Sequence, residues 1–222
     1  MTQRKSRIVL KEKLISIRKP VKLPLKRAVI VTCAVFFCGV GLGVFAKWLD
    51  NLVLDGGVWW RRAVEAADLG NFFSEPAVWL LSALVIAVFS SSALRAALNV
   101  FVFFAGMCAA YHLYTVLFSG FDPASYMLIW YGITLASPVL AAVCWYAKGE
   151  GYVAAILNVC IMAVFTLACF SVGFVYVGFR GVTYLLVYLG AAAALYKNPK
   201  RLLTVPVGFL LAFQLSFLWP YR

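Results

Sequence analysis

Long apolar segments, separated by short polar turns, occupy most of this chain of 222 residues. A helix of about 20 apolar residues is long enough to cross the roughly 30 Å hydrocarbon core of a bilayer. The pattern therefore predicts an all-α transmembrane protein, a bundle of about seven membrane-spanning helices, or six if the last segment does not cross. The predicted spans lie at about 28–49, 76–94, 97–118, 124–147, 152–177, 182–196 and 202–219.

Carboxylates are excluded from these apolar segments. An ionised carboxylate in hydrocarbon costs several kilocalories per mole, so a lipid environment imposes this distribution. It also argues against a proton relay built from buried carboxylates. The eight acidic residues lie in the gaps, at Glu12, Asp50, Asp55, Glu65, Asp68, Glu75, Asp122 and Glu150.

The composition indicates one lipid-embedded domain rather than two soluble ones. The chain is 64% hydrophobic and 13% charged, whereas soluble domains are about 45–50% apolar and about 25% charged. The net charge of +12 would suggest nucleic acid in a soluble protein. Here the charge lies mostly on the first 27 residues and on short loops, which is typical of membrane topology and lipid contact and predicts no nucleic-acid partner.

The lysines and arginines predict the orientation. With the N-terminus in the cytoplasm, fifteen of the 20 fall on the cytoplasmic side, and six of the 8 acidic residues fall outside. This asymmetry follows the positive-inside rule. We therefore expect a multi-pass protein of the bacterial plasma membrane with a cytoplasmic N-terminus.

Residues 1–27 form a basic arm that precedes the membrane domain, residues 28–222. The arm holds ten Lys or Arg. Leu10, Leu14 and Ile17 recur at helical spacing, so a short amphipathic helix on the membrane surface is one interpretation. A tail held near anionic headgroups by charge alone is the other.

The connection 50–75 between the first two spans is the longest. Trp60, Val64 and Ala67 share one helical face, which predicts an amphipathic helix in the membrane interface, ended by Gly70 and Asn71. A lid over a pocket is the alternative.

Few polar residues lie inside or at the edge of the spans, and these are the candidate ligand or helix-coupling positions. Lys47 and Asp50 are three residues apart at the end of the first span and close enough to pair. A lysine that extends to the surface is the alternative. His112 is the single histidine, and Asn99 and Asn158 lie within apolar runs, where such groups often bond between helices.

Small residues in the first span predict a close helix contact. Gly39 and Gly43 are four apart, a spacing that lets a second helix approach. The six cysteines all lie in apolar runs without metal-binding spacing, so we expect packing roles and neither metal nor cofactor. No catalytic motif is visible, and an enzyme is not expected.

Four segments of the chain together resemble an uncharacterised family of small integral membrane proteins, found mostly in clostridia and related Gram-positive bacteria. The resemblance covers about residues 28–200. It implies a bacterial inner-membrane location and an all-helical fold, and it carries no functional residues because the family has no assigned activity. The segments are GVFAKWLDN (43–51), DLGNFFS (68–74), ALNVFVFFAGM (97–107) and CWYAKG (144–149).

Two functions of different classes fit the sequence. One is a small-solute transport component or permease subunit, favoured by the compact multi-spanning build and the kink expected at Pro138. The chain is also similar, in size and hydrophobicity alone, to the substrate-capture subunits of vitamin uptake systems, which usually have six spans. The other is a non-transporting scaffold or regulatory subunit that docks a partner membrane protein or anionic lipid through the basic arm.

Overall fold

The computed structural model describes residues 12–52, 58–173 and 176–218. Most of this is helical. Residues Thr115–Ser119 form a π-helical turn, and strand β1 (Phe170–Val172) pairs antiparallel with β2 (Val177–Phe179). The helices are α1 (12–17), α2 (Leu25–Asp50), α3 (Trp59–Ala66), α4 (Leu69–Ser74), α5 (Pro76–Phe89), α6 (Ala93–Tyr114), α7 (Ala124–Ala147), α8 (Gly151–Cys169), α9 (Val182–Leu195), α10 (Pro199–Leu202) and α11 (Thr204–Leu218).

Four of these helices are long and apolar enough to cross a membrane: α2, α6 with its π-helical turn, α7 and α8. The all-α class and the membrane character predicted from the sequence are thereby confirmed. Helices α5 and α9 are equally apolar but have 14 residues each, a length of about 21 Å. Length therefore establishes four candidate spans, and the count of seven stays a prediction.

The closest helix contact joins α2 and α6, which run parallel. A Cβ on Gly39 would overlap the carbonyl oxygen of Phe103, and one on Gly43 would overlap that of Met107. From the other side, Gly106 faces the backbone of Phe36. From Gly39–Phe103 to Gly43–Met107 both helices advance by four residues, so the small-residue spacing lies directly at this interface.

The short helix α5 lies at the centre of the bundle. It packs against α6, α7 and α9, and most of its side chains are shielded. It supplies Trp79 to one buried cluster, which includes Phe103 and Trp145, and Leu84 to a second cluster around Met162 and Tyr188. A helix enclosed by others can be shorter than the bilayer core because protein, not lipid, surrounds its ends.

The structure corrects two boundaries within the apolar segments. The predicted span 76–94 ends at Phe89, and Ser92 begins α6 by accepting a hydrogen bond from the amide of Arg95. The predicted span 152–177 ends at Cys169, and the residues that follow form strand β1, which pairs antiparallel with β2. β-branched and aromatic residues favour strands. The continuous hydrophobicity of residues 152–177 concealed the end of the helix.

The described part of the connection after α2, residues 58–75, contains two short helices rather than one. Helix α3 buries none of its residues and exposes Trp59, as an interfacial helix would. It ends at Ala66, before the predicted stop at Gly70 and Asn71, which lie inside α4. The break is at Asp68, whose φ of 49° is left-handed.

We expect Gly39→Ala and Gly43→Ala to destabilise the protein by about 1–3 kcal/mol each, because the added methyl group has no room. Gly41→Ala is the matched control, since nothing lies within 4 Å of a Cβ there. Alanine is the better helix former, so the control should be neutral or stabilising. Thermal unfolding in detergent measures all three. Equal stability of the three variants would contradict the close α2–α6 contact.

Candidate functional site

One end of the bundle, which we call the far face, is where α2 and α6 end and α7 begins. Lys47 is 5% exposed there. Its Nζ lies 2.5 Å from Oδ2 of Asp50, 5.4 Å from the centre of the Tyr111 ring and 5.6 Å from that of Phe121. The ammonium is thus held inside the protein by a carboxylate and two aromatic faces, not extended to the surface.

His112 connects α6 to α7 at the same face. Its Nδ1 lies 2.5 Å from the hydroxyl of Tyr131, and its Nε2 lies 3.1 Å from Oδ1 of Asp122 in the loop before α7. Asp122 also accepts a hydrogen bond from the amide of Ala124 at 2.9 Å. The imidazole therefore fixes the position of Asp122 relative to both helices.

A cavity of about 420 Å³ opens at the far face, between the Lys47–Asp50 pair and Asp122. Lys47, Asp50 and Asp122 supply its charges. Its remaining walls are aromatic or weakly polar, formed by Ser74, Tyr111, Thr115, Phe121, Pro123, Ser125 and Tyr126. A concave site with a few convergent polar groups on apolar walls is the usual form of a small-molecule pocket.

A smaller apolar cavity, of about 20 Å³, lies next to the first and shares Tyr111 and Tyr126 with it. Trp79, Met107 and Trp130 line it, one helical turn or more deeper in the bundle. The far face is therefore polar at its mouth and aromatic at its base. Phe73 of α4 lines this deeper cavity and Ser74 lines the outer one, so α4 rather than α3 covers the site.

Asn99 lies elsewhere, at a junction of three segments. Its Oδ1 accepts a hydrogen bond from Thr32 of α2 at 2.8 Å, and its Nδ2 donates to the hydroxyl of Ser90 at 3.2 Å. Arg95 donates to Thr32 at 2.7 Å and to the carbonyl oxygen of Ala28. These contacts couple the start of α2 to α6 and to the end of α5.

Asn158 is fully buried on α8. Its Nδ2 donates to the carbonyl oxygen of Ala147, at the end of α7, over 3.1 Å. Its Oδ1 has no hydrogen-bond partner among the residues that the structure describes. The structure thus brings Lys47, Asp50 and, through Asp122, His112 to one cavity, and places Asn99 and Asn158 at helix contacts outside it.

The opposite end of the bundle, which we call the arm face, is where residues 12–24 lie. Arg18 Nη1 donates to the carbonyl oxygen of Trp145 at 2.6 Å, and Nη2 donates to that of Val88 at 2.9 Å. Ile17 accepts a hydrogen bond from the amide of Glu150 at 2.8 Å. No pattern in the sequence indicated this docking, since Arg18 is one basic residue among ten.

The reason for these contacts is that α5, α7 and α9 all end at the arm face. The last carbonyl oxygens of a helix have no partner in the helix. A cation placed there also interacts favourably with the negative end of the helix dipole. Arg18 donates hydrogen bonds to carbonyl oxygens of α5 and α7. Lys148 donates to the carbonyl oxygen of Ala194 in α9 at 2.9 Å. Burial lowers the pKa of Arg18, and burial followed by the nearby charge of Arg18 lowers the pKa of Lys148.

Comparison of the chain with protein-family models, curated proteins and solved structures finds no match. Within 12–52, 58–173 and 176–218, no group of three or more His, Cys, Asp or Glu is placed to hold a metal ion. The function must therefore be inferred from the geometry of the two faces.

We expect the loss of Asp50 alone to cost more stability than the loss of the whole Lys47–Asp50 pair. Asp50→Asn leaves a buried ammonium without its anion, whereas Lys47→Met combined with Asp50→Asn removes both charges and keeps the packing volume. The melting temperature in detergent should fall further for the single variant than for the double one. Additive losses in the double variant would show that the two groups are not coupled.

Proposed function

We propose that this protein is a small-solute transport component whose solute-binding site is the far-face cavity. The proposal rests on one observation: charged side chains line the mouth of this cavity, and aromatic side chains line its base. A volume of about 420 Å³ falls in the range of about 300–1,000 Å³ typical of small-molecule sites. Such a shape suits a compact solute with one polar end and one apolar or aromatic end.

The charges at the mouth are arranged to orient a solute. Lys47 is already paired with Asp50, so the buried charge is balanced before any ligand arrives. Asp122, whose side chain is 67% exposed, faces the opening and is held by His112. The aromatic rings of Tyr111 and Tyr126 line the outer cavity and offer stacking surfaces for the apolar end.

The membrane topology that accompanies this proposal has seven crossings. Helices α2 and α6 begin at the arm face, whereas α5, α7 and α9 end there, and this alternation supports α5 and α9 as crossings despite their length. Helix α11 would be the seventh. The excess of Lys and Arg on the arm side supports placing the arm face in the cytoplasm and the far face outside, in a bacterial plasma membrane.

A second candidate function is a scaffold or regulatory subunit that docks a partner membrane subunit or anionic lipid through the basic arm. The observation that favours it is the exposure of Lys19, Lys22, Lys26 and Arg27. Residues 17–21 are tied to the bundle, so deleting the whole arm would disturb the fold. Replacing Lys22, Lys26 and Arg27 with Gln is the cleaner test, since it should abolish recruitment and spare solute binding.

A thermal-shift screen of water-soluble metabolites with the detergent-purified protein tests solute capture. A ligand at 100 times its Kd should stabilise the wild type by about 2.7 kcal/mol. Ser125→Phe should abolish that stabilisation because the ring fills the cavity. Ala124→Phe is the matched control, since Ala124 is exposed and does not line the cavity.

The control variant should keep the response of the wild type. A screen without any stabilising compound, or a stabilisation that Ser125→Phe leaves intact, would refute the far-face cavity as the solute site.

A further inference from the structure

A second cavity, also of about 420 Å³, lies at the arm face between the arm and the turn that joins α7 to α8. Its charged lining consists of Arg18, Lys19, Lys148 and Lys197 against one carboxylate, Glu150. The balance is strongly positive, and neither the helix contacts nor the solute site described above accounts for the space itself.

Most of this positive charge is not neutralised by the residues that the structure describes. Arg18 and Lys148 donate to carbonyl oxygens of the backbone, which carry no net charge. The ion pair that the described residues form here is Lys197 with Glu150, at 3.0 Å. The depressed pKa of Lys148 reflects its burial and its closeness to Arg18. An anion bound between these cations would remove their mutual repulsion.

A neighbouring arginine is also incompletely partnered. Arg201 donates through Nη2 to the carbonyl oxygen of Gly149 at 3.1 Å. Its Nη1 is shielded from solvent and has no hydrogen-bond partner in the part of the chain that the structure describes. The turn at Gly149 and Glu150 is therefore surrounded by donors, as phosphate-binding sites are.

Apolar side chains stand beside the cavity and are open to the surroundings of the bundle. Phe89 is exposed, and its ring centre lies 3.9 Å from Lys148 Nζ. Tyr152, two residues after Glu150, is 90% exposed. A ligand that combines a phosphate group with hydrocarbon chains could contact the cations and these side chains together.

We propose that the arm-face cavity binds the phosphate group of an anionic phospholipid, with its acyl chains along Phe89 and Tyr152. The site is distinct from a general attraction of the arm to a charged surface, because it is built from the arm, the α7–α8 turn and Lys197 between α9 and α10 together. It is also independent of solute capture at the far face.

The test compares two double variants that remove the same charge. Lys19→Gln with Lys197→Gln changes the cavity, whereas Lys22→Gln with Lys26→Gln changes exposed arm residues that do not line it. Purified protein in neutral detergent is titrated with short-chain phosphatidylglycerol, phosphatidylcholine or pyrophosphate, and the melting temperature is followed. Lys19→Gln alone is included because Lys19 is exposed and its loss spares the Lys197–Glu150 pair.

We expect phosphatidylglycerol to stabilise the wild type and phosphatidylcholine to have little effect. The cavity double variant should bind phosphatidylglycerol about tenfold or more weakly, Lys19→Gln should weaken binding in the same direction, and the control double variant should stay within about twofold. Equal weakening in both double variants would overturn the proposal in favour of diffuse surface charge. Stabilisation by pyrophosphate but not by phosphatidylglycerol would overturn the lipid assignment. Either outcome leaves the solute screen at the far face unaffected.

Discussion

Polar groups of the backbone cannot stay unpaired where lipid replaces water, and the ends of the helices must meet this constraint. It applies most strongly at the arm face, where the short central helix α5 ends together with α7 and α9. Arg18 and Lys148 supply donors there, and Trp145 adds another by donating to the carbonyl oxygen of Ser90 at 2.7 Å. The docking of the arm is therefore part of the fold, and it brings cations together at one place.

The same constraint confines the charged side chains to the two ends of the bundle, the arm face and the far face. The helix contacts between them use glycine, as at Gly39 and Gly43, or neutral groups such as Asn99, which satisfy one another without exposing charge to lipid. Charged groups remain at the ends, where they line one cavity at each face. The far-face cavity has both signs of charge and an aromatic base, whereas the arm-face cavity is mainly cationic. The two proposals follow from that difference.

Local patterns in the sequence predicted the helical class. The three-residue spacing of Lys47 and Asp50 allowed an ion pair as one of two interpretations, beside a lysine that extends to the surface. Local patterns did not predict contacts between distant segments, such as Arg18 with Val88 or His112 with Tyr131. Hydropathy also failed at 170–172 and 177–179, since an apolar strand and an apolar helix have the same mean hydropathy. The position of Asp122 in the cavity likewise depends on how α6 and α7 pack.

The central claim is that the arm face and the far face lie on opposite sides of a membrane. Labelling with a membrane-impermeant maleimide tests it, in cells that express a variant without the native cysteines. Asp122→Cys and Glu150→Cys are a matched pair, because both side chains are exposed, at 67% and 78%, in short turns at opposite ends of α7. The account predicts that Asp122→Cys is labelled in intact cells and that Glu150→Cys is labelled only after permeabilisation. Labelling of both in intact cells, or of Glu150→Cys alone, would contradict it.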